Sequence, residues 1–155
     1  MSLESAKKHL KKWGKDSQII EFSSSSATVE LAAKALGVKN GMIAKSISLL
    51  GKDSPILVVA SGNVKIDNQK FKKEFGFKAK MINPTEVLDL VGHNIWGVCP
   101  FGVNKNVQVF LDISLKKYSS VFPACGSSNS VIELSISELE QLSDYKNWVD
   151  VCGGY

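Results

Sequence analysis

Two stretches of the chain hold residues whose types and spacing suit chemistry. The first is the turn Gly97-Val98-Cys99-Pro100-Phe101-Gly102, set between His93-Asn94-Ile95-Trp96 and the strand-like run from Val107 to Asp112. Glycines leave backbone N–H groups without Cβ cover, and the proline holds Cys99 extended, so the loop reads as a rigid cradle whose donors can meet a developing negative charge. A tight connection into a buried strand is the alternative. The second is Lys45. Alternation from Met42 to Leu50 puts Ile43, Lys45, Ile47 and Leu49 on one strand face and Met42, Ala44, Ser46, Ser48 and Leu50 on the other. An ammonium among isoleucines costs free energy unless it is paired or reaches a polar cavity, which makes Lys45 a site candidate. Snorkelling past its neighbours to water is the competing reading.

Other chemistries find little support. The cysteines Cys99, Cys125 and Cys152 form no C-x-x-C pair, and the histidines His9 and His93 have no metal-ligand spacing, so reduced thiols and neither metal nor cofactor are expected. No Ser-His-Asp or Cys-His nucleophile is evident. Cys99 beside its proline is expected to be a small apolar filler, and His93 a helix-terminal residue.

The elements that position these residues follow from periodicity and capping. Leu3, Ala6, Leu10 and Trp13 fall at helical spacing, with Gly14 as a stop. Gln18 to Phe22 is a strand candidate, and the polar run Ser23 to Ser26 can supply a cap for a helix from Thr28 to Leu36 that ends at Gly37. Met42–Leu50 and the nearly continuous apolar run Pro55–Gly62 suit a strand hairpin with a central strand. A basic helix is expected from Asp67 to Phe75, a strand from Phe77 to Ile82, and a helix capped by Asn83-Pro84-Thr85-Glu86 that runs to Gly92. After the strand Val107–Asp112 come one helical turn at Ser114–Tyr118 and a small-residue loop, Gly126-Ser127-Ser128-Asn129. A return strand at Val131–Leu134, a capping box at Ser135 and Glu138, and a terminal strand at Trp148–Val151 complete the chain. The expected class is α+β, with a mixed, curved and barrel-like sheet flanked by helices.

At 155 residues, 44% hydrophobic and 22% charged, the chain suits one domain of the globular class, taken here as 1–155. No apolar run approaches the roughly 20 residues of a membrane span, and Met1 to Ser5 lack a signal-peptide pattern, so a cytoplasmic protein with no membrane partner is expected. The formal charge of +4 is uneven. Lys7, Lys8, Lys11, Lys12 and Lys15 crowd the start and Lys65, Lys70, Lys72, Lys73, Lys78 and Lys80 the middle, while Glu133, Glu138, Glu140, Asp144 and Asp150 make the tail acidic. That asymmetry suits a polyanion meeting one face, as well as plain solvated surface.

Taken in order, several of these segments resemble the YbaK and prolyl-tRNA-synthetase-associated domain family of aminoacyl-tRNA deacylases. The carriers are the helix Thr28–Gly37, the strand lysine in Ile43-Ala44-Lys45-Ser46-Ile47, Ala60-Ser61-Gly62, Val91-Gly92, the Gly97–Gly102 loop, Phe110-Leu111-Asp112, and Gly126 followed by Ile132-Glu133-Leu134. The resemblance spans about Ile20 to Leu142. It implies hydrolysis of the ester that joins a wrong amino acid to tRNA, most often cysteine or alanine on tRNA for proline, with the acceptor end of tRNA and a prolyl-tRNA synthetase as partners. It implies Lys45 and Gly97 as catalytic residues. It also implies Phe22, Ser46, Ser61, Gly62, Val98, Cys99, Pro100, Phe101, Gly102, Asp112 and Gly126 as the substrate-binding set. In such a site preorganised backbone donors stabilise the oxyanion by roughly 3 kcal/mol each. The lysine orients the acceptor end through its phosphate or terminal ribose. Water attacks, assisted by the ribose hydroxyl of the tRNA. The loop Ala124–Asn129 departs from the family's Gly-Gly-x-x-Gly pattern, and Val131 precedes Ile132 where an aspartate is usual nearby. That leaves the amino-acid specificity open and keeps a second reading in play, a non-catalytic tRNA- or synthetase-binding module of the same fold.

Overall fold

A computed structural model describes residues 2–154. Its α-helices are α1 (Ser2–Lys11), α2 (Val29–Leu36), α3 (Asn68–Phe75), α4 (Val87–Val91) and α5 (Ile136–Leu142). The strands are β1 (Ile20–Glu21), β2 (Ile43–Leu49), β3 (Ile56–Ser61), β4 (Val64–Ile66), β5 (Gln108–Asp112), β6 (Ser120–Pro123), β7 (Ser130–Val131), β8 (Leu134–Ser135), β9 (Asn147–Val149) and β10 (Cys152–Gly154).

The apolar run 56–61 becomes the middle of the molecule because every one of its side chains is buried, as a strand covered on both faces requires. The main sheet has the order β8-β6-β2-β3-β5-β9. Strand β2 runs antiparallel to β3 with Lys45 opposite Ala60, while β3 pairs in parallel with β5, and β5 in parallel with β9. This mixed sheet curls into a half-barrel, an α+β arrangement in agreement with the sequence. Two short ribbons, β1 with β7 and β4 with β10, close its ends.

Alternation along β3 divides the core. Leu57 and Val59 pack with Ala6 and Leu10 of α1, Leu139 and Leu142 of α5, and Phe101; Val58 and Ala60 pack with Phe71 and Val151 on the other face. Each such large side chain contributes about 1.5–3 kcal/mol by leaving water. A third cluster joins Ala32 and Ala33 of α2 to Ile43, Phe122 and Val131.

Local signals act largely as expected. Gly37, Gly76 and Gly92 end their helices with positive φ, Asp67 caps α3 through the Gln69 and Lys70 N–H groups, and the Ser135–Glu138 capping box is complete. The differences lie in short strands. The segment 77–82 is not a strand: only a bridge between Leu49 and Met81 forms, while Phe77 turns inward to stack edge-on against Phe71. The candidate at 18–22 shrinks to two residues, and the return strand at 131–134 splits into β7 and β8 around a bend. Strand β6, at 120–123, carries no alternation because three of its four residues are buried. The α2 cap is Thr28, whose hydroxyl accepts from the Leu31 N–H, and none of Ser23 to Ser26.

Candidate active site

The loop at 97–102 is held from behind by a buried histidine. His93 is fully buried, and its Nε2–H donates to the Phe101 carbonyl at 2.5 Å. That carbonyl can only accept, which leaves Nδ1 to accept from the Ser2 hydroxyl at 2.7 Å, and the Asn94 N–H donates in turn to Ser2 Oγ. Burial lowers the His93 pKa, so the ring stays neutral. Its role is to tie the first turn of α1 to the loop.

From the front the loop is held by a second one. A Cβ on Gly97 would stand 2.4 Å from Gly126 C and Ser127 N, closer than any side chain is tolerated. Glycine is therefore required at 97 by close backbone approach, and at Gly126 also by its φ of +87°. The Gly126 loop in turn carries the serine-rich segment: the Ser26 N–H donates to Ser128 O at 2.6 Å, and the Asn129 side chain donates to Phe22 O at 2.8 Å.

Near these contacts lies an open cavity of about 110 Å³. Lys45 and Ser46 of β2 form one wall, Thr28 and Val29 at the start of α2 another, and Trp96 and Val98 a third. Its lining also includes Phe122 of β6, which pairs with β2 only through Ile43–Phe122 and Ala44–Pro123. Lys45 lies on the face with Ile47 and Leu49, as alternation requires, and its Nζ donates to the carbonyls of Gly62 and Val64. The ammonium is thus solvated by the backbone turn after β3. Ser46 Oγ, by contrast, is buried with no partner among the described residues.

The Gly97 N–H is already committed to the Asn94 carbonyl at 2.9 Å. Val98, which ends the short 3-10 turn Ile95–Gly97, makes no such backbone bond among the described residues and lines the cavity. A second, larger hollow beside it shares Ile95 and Trp96 as a common wall, and Trp96 is 60% exposed.

The sequence profile of the aminoacyl-tRNA editing domain matches residues 23–142. The chain belongs to that family. It is 52% identical over 153 residues to the uncharacterized protein YwhH of Bacillus subtilis, covering 98% of each. It is 26% identical over 125 residues to EbsC of Enterococcus faecalis, a protein named as a candidate Cys-tRNA(Pro)/Cys-tRNA(Cys) deacylase, covering 79% of this chain and 76% of that one. A crystal structure titled as a candidate trans-editing enzyme for prolyl tRNA synthetase superposes with a TM-score of 0.88 at 28% identity, over 99% of this chain and 98% of that one.

Within this editing domain the residues singled out in the sequence separate into three groups. Lys45, Ser46 and Val98 line the cavity, while Gly97 and Gly126 meet in a close backbone contact next in sequence to its lining residues Trp96 and Val98. Gly62 and Phe22 adjoin it. The first receives Lys45 on its carbonyl, and the second packs on Ile43, Phe122 and Val131. The rest do not reach it with their side chains. Cys99 and Phe101 are fully buried in the main core, and Pro100 and Gly102 turn to the opposite side of the loop, where a Gly102 Cβ would meet Ser5 O at 2.5 Å. Ser61 donates to Gly41 O at 2.6 Å and fixes the end of β3. Asp112 accepts from the Ser114 and Val151 N–H groups, tying β5 to the C-terminal strands.

Burial also acts on Cys99. It pushes the thiol up to about 12, so at neutral pH there is no thiolate. The S–H points to the Phe101 carbonyl at 3.6 Å. The cavity residues that sequence reasoning does not single out include Thr28, Val29, Ile95, Trp96, Phe122 and Val131. The readable signal among them was Trp96, a large aromatic beside a glycine turn with no helical or strand periodicity to bury it.

Proposed function

We propose that the chain is a trans-editing deacylase, hydrolysing the ester between a wrongly attached small amino acid and its tRNA, with cysteine or alanine on tRNA for proline as the first candidates. One observation carries the reading: Lys45 and Val98, from distant parts of the sequence, wall the same small cavity.

The ester carbonyl enters beside Val98, whose N–H takes the oxyanion donor role expected of Gly97, because the Gly97 N–H is already bonded. A donor fixed before the reaction contributes roughly 3 kcal/mol to the developing charge. Lys45 turns one of its donors to the phosphate or ribose of the terminal nucleotide and sets the ester in line for attack. With Cys99 protonated and His93 committed to the fold, the nucleophile is water, and the ribose hydroxyl of the substrate assists it. Size agrees with a small amino acid: at about 10–15 Å³ per water position, 110 Å³ holds only a handful of heavy atoms. The similarity to EbsC and to the trans-editing structure supports the same substrate class.

The test is a panel of mischarged tRNAs. Turnover fastest with Cys- or Ala-tRNA(Pro) is expected. Salt-sensitive tRNA binding without turnover of any member overturns the deacylase and leaves the binding module.

A further inference from the structure

A second cavity, about 570 Å³ in volume, shares no residue with the first. It lies between α1, the segment that follows Pro100, and the turn from α5 into β9. Lys8 reaches it from α1, Lys12 from the turn that follows that helix, Lys105 from the loop and Lys146 from the approach to β9. All four are exposed, and none forms an ion pair among the described residues. One carboxylate faces them: Asp144, held at a φ of +52° and turned toward His9 at 4.0 Å. At the wall Ser143 is 1% exposed, yet its hydroxyl has no partner among the described residues.

The walls do not adapt freely. The loop's Gly102 packs on the Ser5 carbonyl, and His9 donates from Nε2 to Leu142 O at 2.6 Å, which joins α1 to the end of α5. Fixed walls therefore hold four ammoniums and a single carboxylate around an open space, an excess of positive charge that anionic oxygens relieve.

We infer that this cavity is a phosphate-binding site that takes the sugar–phosphate backbone of the tRNA. The inference rests on the deacylase reading for its ligand. Lysines fit that ligand: the chain's 19 basic residues are all lysines, point charges on flexible stems that follow successive backbone phosphates, where a single fixed phosphate favours the guanidinium fork. The rival basic face on α3 is partly neutralised, with Lys70 bonded to Asp150 at 3.1 Å. Phosphate contacts there fix orientation without reading sequence, which suits a domain whose specificity resides in a separate small cavity.

The experiment compares wild type with a variant carrying Lys8→Gln, Lys12→Gln, Lys105→Gln and Lys146→Gln, and with a control carrying Lys72→Gln, Lys73→Gln and Lys78→Gln. Binding of uncharged tRNA is followed by fluorescence anisotropy across salt, and thermal melting confirms that each variant is folded. The slope of log K against log salt is expected to become shallower by about 0.9 for each phosphate that is no longer neutralised, in the first variant and not in the control. Turnover of a short aminoacyl-ester fragment that cannot span the two cavities should stay at the wild-type rate. An unchanged slope overturns the site, as does a slope change confined to the control. Calorimetric titration with inorganic phosphate separates the sources: saturation by free phosphate that tRNA fails to displace also overturns it. Because binding is read with uncharged tRNA, absence of ester turnover in wild type counts against the deacylase alone.

Discussion

Replacing Gly97 by alanine perturbs the seam between the two loops by one methyl group. The new Cβ would lie 2.4 Å from Gly126 C and Ser127 N and 2.7 Å from Gly126 O, where ordinary contact begins at 3.4 Å. The obstruction is backbone on the far side, so no side chain can swing away. One loop must retreat by about 1 Å, and the Gly126 side is anchored, with its own Cβ position 2.3 Å from Ser2 O. The retreat therefore falls on residues 95–98, the wall that carries the Val98 N–H. A displacement of that size in a positioned group lowers turnover by about 10²-fold, and the overpacking costs about 1–3 kcal/mol in stability. The φ of Gly97 is not positive, so backbone strain adds nothing and the effect is steric alone. The assay is kcat/KM on the best mischarged tRNA, with urea unfolding alongside. A Gly97→Ala protein with wild-type turnover and stability would mean that the seam is neither tight nor a support of the site.

Two further outcomes follow from buried titratable groups. Cys99→Ala should leave deacylation near the wild-type rate and cost about 1 kcal/mol in stability, and the native thiol should resist alkylation at pH 8; loss of activity in a stably folded variant would return the thiol to the chemistry. His93 has its pKa lowered by burial, so the unfolded chain binds the proton first. The stability it supports is present above about pH 6.5 and drains away as the pH falls below that value, by up to about 1.4 kcal/mol per pH unit. Urea midpoints at pH 7.5 and 5 should show this loss in wild type and a smaller one in His93→Gln; equal losses would assign it to other groups.

Much of this fold is legible in the sequence where a local rule and the tertiary environment agree. The helices ending at Gly37, Gly76 and Gly92, the Ser135–Glu138 box and the Lys45 face of β2 are such cases, since capping and alternation act within a few residues. Residues 77–82 are where they part. Their alternation of Phe77, Ala79 and Met81 with Lys78 and Lys80 reads as a strand, but Phe77 packs against Phe71 and Phe75 and no ladder forms. Strand β6 escapes detection for the opposite reason, being buried almost throughout and bearing no period. At the site the sequence points to a loop and a lysine that the fold brings to one cavity, through Val98 and Lys45, but cannot say which way the loop faces. That depends on α1: the Ser2–His93–Phe101 chain and the Gly102–Ser5 contact turn Pro100 to Gly102 away from Lys45 and leave Val98 toward it. None of those contacts is visible without the long-range pairing of residues about 90 positions apart.

The decisive measurement is kcat/KM of Lys45→Ala on the mischarged tRNA that wild type clears fastest. The substitution frees the Gly62 and Val64 carbonyls, so melting must first show that the protein is folded. If Lys45 holds the ester in line for attack, the folded variant loses at least about 10²-fold in kcat/KM, the scale of removing a positioning group. A folded Lys45→Ala protein that deacylates at the wild-type rate contradicts that role.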